Sequence, residues 1–271
     1  MTQLEFQNYA QYVEQNFGIQ LPQEKKTLLE SRLYKLFCDH DEPEFTDEKT
    51  FYDYLLRDKS GKAKSILADA ITTNHTYFMR ETDHFDYFRD TVLPYWADNI
   101  KDGDVRTWCA ASSSGEEPYT MAMIMHDFFS MRPGTWEKTM LATDLSLEIL
   151  GVAKEGIYDE QAVKVLPQHW QKAYFHKCGP DKVQVVDTIR NQVLFRKFNL
   201  MEPRFPFKRP FHTIFCRNVM IYFDDPTRRR LARQFYDFLM PGGYLFVGHS
   251  EVIDRTAAPF EYVMPSVYRR K

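Results

Sequence analysis

Only four cysteines occur among the 271 residues, Cys38, Cys109, Cys178 and Cys216, and no two of them form a C-x-x-C pair. A zinc ribbon or dithiol redox site is therefore not expected, and reduced thiols of a cytoplasmic protein are. Glycine and proline are sparse, at 11 and 14 residues, which excludes fibrous and low-complexity classes. No apolar run approaches the length of a membrane span; Met121 to Met125 is typical of the longest. The opening MTQLEFQNYAQ lacks the basic stretch and apolar run of a secretory signal, so neither secretion nor membrane insertion is expected. Positive charge is not in excess: Lys plus Arg number 35 against 38 for Asp plus Glu, a net charge of −3, and nucleic acid is not an expected partner. The G-x-G-x-x-G fingerprint of dinucleotide binding is also missing. His169, His176 and Cys178 lie close in sequence, but no further ligand stands at a recognisable spacing, so no metal site is expected. What remains, 44% hydrophobic and 27% charged residues, is the composition of a folded protein with one large domain or two modest ones.

Residues 1 to 72 read as short helices. Phe6, Tyr9, Ala10 and Val13 recur at helical spacing, as do Leu29, Leu33, Leu36 and Phe37 after Pro22. Phe51, Tyr54 and Leu55 form a third stripe with Thr46 as its expected N-cap, and Ile66, Leu67, Ala70 and Ile71 a fourth after Ser60-Gly61. The second helix carries Lys25, Lys26, Arg32 and Lys35 against Glu24 and Glu30; this is a solvated face or a docking surface. From about residue 104 strands alternate with helices: 105–111, a helix with Met121, Ile124, Met125, Phe128 and Phe129 on one face, 140–144, a helix to Ala153, 211–215, a helix over 228–239, a turn at Pro241-Gly242-Gly243, and 244–247. Such alternation predicts an α/β fold, a mostly parallel sheet with helices on both faces. Residues 157–198 interrupt it, with 183–189 and 192–198 read as an antiparallel hairpin of a small inserted β-subdomain.

In an open α/β sheet ligands bind beyond the carboxyl ends of the strands. The first end is Ala111-Ser-Ser-Ser-Gly-Glu-Glu-Pro118, a small-residue turn that opens a helix and offers amides to a ligand. Glu116 and Glu117 there would repel a pyrophosphate and attract a cation or amine, or simply favour the helix terminus. Asp144 ends the next strand, where a carboxylate accepts both hydroxyls of a ribose or caps the following helix. Asn199 offers an amide to the edge of adenine, or forms a turn. Arg217 and Asn218 end a strongly apolar strand, a costly arrangement in a core and a natural one at a site. Nucleoside contacts without a pyrophosphate loop point to S-adenosylmethionine (SAM) rather than to a nicotinamide dinucleotide.

The blocks TTNHTYFMRE (72–81), WCAASSSGEEPY (108–119), ATDLS with a following GIY, FNLM (198–201), IFCRNVMIYFD (214–224) and PGGYLFVGHSE (241–251) resemble the chemotaxis receptor-glutamate methyltransferases, the CheR family. The likeness covers nearly the whole chain. It implies a SAM-dependent, Rossmann-like sheet behind an all-helical domain at 1–72, a linker at 73–90 that contributes to the cofactor site, and a catalytic domain at 91–271 with the β-insertion at about 157–198. It implies that Asn74, Thr76, Arg80, Glu117, Asp144, Asn199, Leu200, Arg217 and Asn218 hold SAM, and its product S-adenosylhomocysteine. Arg80, Arg217 and Tyr222 would orient the acceptor carboxylate. The chain departs from the family pattern at His75 and Met79, neither a contact-bearing position. The implied activity is O-methylation of glutamates in the cytoplasmic helical region of chemoreceptors by a monomer; the alternative is a catalytically silent SAM-binding scaffold or sensor.

Overall fold

The computed structural model describes residues 1–39 and 45–271. Four helices open the chain: α1 (Gln3–Phe17), α2 (Lys26–Asp39), α3 (Glu48–Arg57) and α4 (Lys62–Ile71). α1 starts in a capping box, in which Thr2 Oγ1 accepts the Glu5 amide at 3.2 Å and the Glu5 carboxylate accepts the Thr2 amide at 2.6 Å. α3 is capped by Asp47, whose Oδ1 accepts the Thr50 amide at 2.8 Å, and not by the expected Thr46, whose own amide donates to Thr50 Oγ1 at 3.0 Å. A carboxylate is the stronger acceptor for an orphan helix amide, so the cap falls one residue later. Phe6, Tyr9, Val13, Phe17, Leu33, Phe51, Leu67 and Ile71 bury together, giving this region a core of its own.

The expected linker at 73–90 contains helix. From Thr82 the chain is helical through α5 (Thr82–Tyr87), a π turn (Phe88–Val92) and α6 (Leu93–Asn99). Phe85, Phe88, Val92, Leu93 and Trp96 bury in the catalytic core. Their spacing is that of one helical face, so the part of the expected linker from Thr82 onward packs with the catalytic core.

The remaining elements are β1 (Thr107–Cys109), α7 (Glu116–Ser130), β2 (Met140–Asp144), α8 (Leu147–Glu155), β3 (Ile157–Asp159), α9 (Gln168–Ala173), β4 (Phe175–Lys177), β5 (Lys182–Val185), α10 (Asp187–Arg190), β6 (Val193–Lys197), β7 (Phe211–Phe215), α11 (Asp225–Phe238), β8 (Leu239–Phe246), β9 (Phe260–Met264) and β10 (Val267–Arg270). The main sheet has the order β6-β2-β1-β7-β8-β10-β9. The first five strands pair in parallel, and β10 pairs antiparallel with both β8 and β9. Side chains alternate between its faces: Cys109, Phe215 and Phe246 enter the core under α5 to α7, while Trp108, Ile214 and Leu245 join α11 residues Leu231 and Phe235. α7 exceeds the expected single apolar face, because Pro118 to Met125 are buried all round it.

The expected hairpin of 183–189 with 192–198 does not form. β5 ends at Val185 and pairs antiparallel between β3 and β4 in a separate three-stranded sheet. β6 instead lies parallel to β2, with Met140 opposite Val193 and Asp144 opposite Lys197. Val193 and Phe195 bury while Leu194 is exposed, an alternation that an edge strand of the main sheet satisfies as well as a hairpin. The insertion thus stops before β6. Pro241-Gly242-Gly243 is likewise no free turn but a bulged stretch within β8, where the pairing with β7 shifts register.

Candidate functional site

All ten residues singled out from the sequence, Asn74, Thr76, Arg80, Glu117, Asp144, Asn199, Leu200, Arg217, Asn218 and Tyr222, line one cleft. It lies at the carboxyl ends of the parallel strands, under residues 71–80 and against the helical domain, where the sheet rule places a ligand.

The first strand end is tightly built. Gly115 precedes α7 at φ +99°, and Ser113 holds φ +47°. The Ser113 amide donates to Asp144 Oδ2 at 2.9 Å and the Ser146 amide to Asp144 Oδ1 at 3.1 Å. Ser146, not Asp144, caps α8, so the carboxylate is free of the capping role. Burial pushes the Asp144 carboxyl pKa up, and the amides of Ser146 and Ser113 act against that. A carboxylate has about four acceptor positions, and these amides leave capacity for hydroxyl donors. Of the adjacent acids, Glu116 turns back to accept the Ser114 hydroxyl at 2.6 Å and does not line the cleft. Glu117 does.

Arg217 is 4% exposed. Its Nη1 donates to Glu117 Oε2 at 2.6 Å, its Nη2 and Nε to Glu81 Oε2 at 2.9 and 3.3 Å, and Nη2 also to the Arg80 carbonyl. All three nitrogens of the fork thus have protein partners. Asn218, at φ +58°, donates its side-chain amide to Glu81 Oε1 at 3.1 Å. Burial opposes ionisation of Glu81, but Arg217 and Asn218 outweigh it and hold the carboxyl pKa down to about 2. Glu251 braces the same loop: it accepts the amides of Gly248, Asn218 and Ile221 at 2.5, 2.9 and 3.2 Å.

Asn199 is held at both ends of its side-chain amide. Its Nδ2 donates to the Asn16 carbonyl at 2.7 Å and its Oδ1 accepts the Met201 amide at 3.0 Å, so both polar ends of the amide tie the loop to α1 and to itself. Arg80 donates to the His75 carbonyl at 2.8 Å and lies over the Tyr77 ring, bracing the segment that covers the cleft. Ser113 Oγ donates to the Asn74 carbonyl at 2.9 Å from below. Tyr222 accepts the Gln20 amide on its backbone carbonyl at 2.9 Å, with its side chain on the cleft wall.

Sequence reading missed Glu81, Glu251, Ser113 and Arg32, and the apolar wall of Phe17, Ile19, Leu21 and Leu28 contributed by the helical domain. Arg32 donates to the carbonyls of Ile71 and Thr72 and to Thr73 Oγ1 at 3.0 Å; its charge was visible, its clamp on the linker was not. Among the described residues, Glu81, His84 and His249 bring possible metal ligands within 4.8 Å of one another. Both Glu81 oxygens already accept from Arg217 and Asn218, so a cation there would stand against the guanidinium, and the carboxylate serves Arg217 instead.

The family described as CheR methyltransferase, SAM binding domain, matches residues 74–268, and that described as CheR methyltransferase, all-alpha domain, matches 4–72. The chain is 40% identical over 274 residues to the chemotaxis protein methyltransferase of Borreliella burgdorferi, covering 100% of this chain and 95% of that one. It is 36% identical over 260 residues to a probable chemotaxis protein methyltransferase of Rhizobium etli (93% and 94% covered). To the chemotaxis protein methyltransferase of Escherichia coli it is 34% identical over 268 residues (97% and 89% covered).

Proposed function

This chain belongs to the CheR methyltransferase family, and from that premise we propose that it methylates glutamate side chains of chemoreceptors, using SAM and giving glutamate methyl esters. The observation that carries the reading is the convergence of ten residues from separate segments on one cleft at the strand ends. When bound, SAM supplies a methyl group made electrophilic by its sulfonium. The donor set suits it: Asp144 keeps acceptor capacity for ribose hydroxyls, and the carboxylates of Glu81 and Glu117 outnumber the one guanidinium between them, leaving negative charge for an α-ammonium group. Leu200, Phe198 and Ile19 offer apolar walls for a base.

A glutamate side chain has a pKa near 4.3, so it is ionised at neutral pH and needs no strong general base. What the protein must supply is placement and the exclusion of water. With Arg217 committed to Glu81 and Glu117, Arg80 and Tyr222 are assigned to the acceptor side. Phe17, Leu21 and Leu28 shield the cleft from the helical-domain side. No helix among the described residues is long and apolar enough to cross a membrane; in this reading a monomer acts in the cytoplasm, on the cytoplasmic helices of the receptors.

The test is transfer of radiolabelled methyl from SAM to membranes carrying chemoreceptors, followed by mild base. Label released as methanol is the expected result. Label that resists base would place the methyl on nitrogen, and SAM binding without transfer would mark a silent sensor.

A further inference from the structure

Arg217 stands between two carboxylates that reach it from different parts of the chain. Glu117, at the start of α7, lines the cleft; Glu81, at the end of the covering segment, does not. Glu117 is held on one oxygen by Arg217 Nη1 at 2.6 Å and on the other by the Cys109 thiol at 3.2 Å. For Glu117 to receive the α-ammonium group of a bound cofactor, as the reading above requires, it must share or surrender Arg217. A guanidinium this deeply buried cannot be left without a partner. Glu81 removes that obstacle, because it already holds the other edge of the fork through Nη2 and Nε.

We propose that Glu81 is a positioning residue for cofactor binding: it keeps the Arg217 guanidinium paired, so that Glu117 is available to the ammonium end of SAM. Three further features support this. Met79 and Glu81 both sit at positive φ, +60° and +58°, a conformation that costs L-residues energy and persists only where the surroundings enforce it. Asn218, also at +58°, meets the same carboxylate through its side-chain amide. The Glu81 carboxyl is held ionised by these partners. Two strained segments 137 residues apart in sequence thus converge on one side chain that itself stays outside the cleft.

The inference rests on the cleft being a SAM site, and the experiment separates the two. Binding of S-adenosylhomocysteine and of 5′-methylthioadenosine, which lacks the amino acid end, is measured by calorimetry for the wild type, Glu81→Gln and Glu81→Asp. The expected result is that Glu81→Gln weakens S-adenosylhomocysteine at least about tenfold while leaving 5′-methylthioadenosine within about twofold of wild type, and that Glu81→Asp, which keeps the charge, recovers part of the loss. Equal weakening of both ligands would reduce Glu81 to a fold-stabilising residue and overturn the proposal, as would no weakening of either. Should Glu81→Gln fail to fold, Glu81→Asp carries the same comparison, a selective loss of at least about threefold supporting the proposal and an unselective one or none overturning it. A wild type that binds neither ligand would overturn the SAM reading itself.

Discussion

His84 and His212 are fully or almost fully buried, and burial first, then the neighbouring Arg217 and Arg106 respectively, pulls the pKa of each down to about 4. Unfolded histidine titrates near 6.5, so as the pH falls below that value the unfolded chain takes up protons that the folded chain refuses. Stability is therefore lost progressively from about pH 6.5 to about pH 4, by up to about 1.4 kcal/mol per unit for each histidine. Urea midpoints between pH 7.5 and 4.5 should show this slope, and His212→Asn should flatten it by roughly half; an unchanged slope would refute the role given to His212. Glu81 acts in a lower window, its contribution being present above about 4.5 and lost as the pH falls toward 2. At this scale the sequence was informative wherever a charged side chain ended an apolar strand, as at Asp144 and Arg217, because burying such a group in a core is costly enough to demand a purpose. Glu81 and Glu251 carried no such mark. Their partners lie 137 and 33 residues away, and no local pattern encodes a distant hydrogen bond.

Gly115 shows how an element depends on one backbone position. At φ +99° a Cβ there would be strained and would lie 2.9 Å from Tyr158 Oη and 3.2 Å from Ala153 Cβ. Gly115→Ala should lower stability by about 1–3 kcal/mol and weaken SAM binding together with it, because the turn that aims the Ser113 amide at Asp144 would shift. Denaturation and calorimetry on the same variant check both, and unaltered SAM affinity would sink the link between turn and site. Helices and parallel strands were legible from their periods, since apolar spacing reports which face is buried. The partner of a strand was not. β6 reads the same whether it pairs with the adjacent β5 or with the more distant β2, and only the crossover geometry decides. The 82–99 helix was legible from its period, for Phe85, Phe88, Val92 and Trp96 recur at helical spacing, but nothing local marks the π turn at Phe88–Val92.

The two domains meet through a few specific contacts: Asn199 to the Asn16 carbonyl, Gln20 to the Tyr222 carbonyl, Ser146 Oγ to Asp69 at 2.6 Å, and Lys197 to Ser65 at 2.9 Å. Because Arg32 clamps the linker and Lys25 lines the cleft, the basic helix is not uniformly a docking face. Lys26 and Lys35 lie outside the cleft and are the cleaner probes. Charge reversal at both should raise KM for receptor several-fold with SAM affinity unchanged; an unchanged KM would remove α2 from the receptor interface. The two-domain division was readable because helical and α/β patterning change abruptly, whereas the closure of one domain over the other rests on backbone carbonyls that every residue possesses and on side-chain pairs such as Ser146 with Asp69, 77 residues apart. The sheet order also governs how the molecule is made. Among the described residues the buried members of the helical-domain core end at Ile71, with Leu145 added at its edge, so most of it can form as soon as residue 71 leaves the ribosome, whereas β1 lies between β2 and β7, and α5 stacks Phe85 on Phe215. The covering segment is therefore synthesised long before the strands that hold its far end exist, and the cleft is among the last parts of the protein to be assembled.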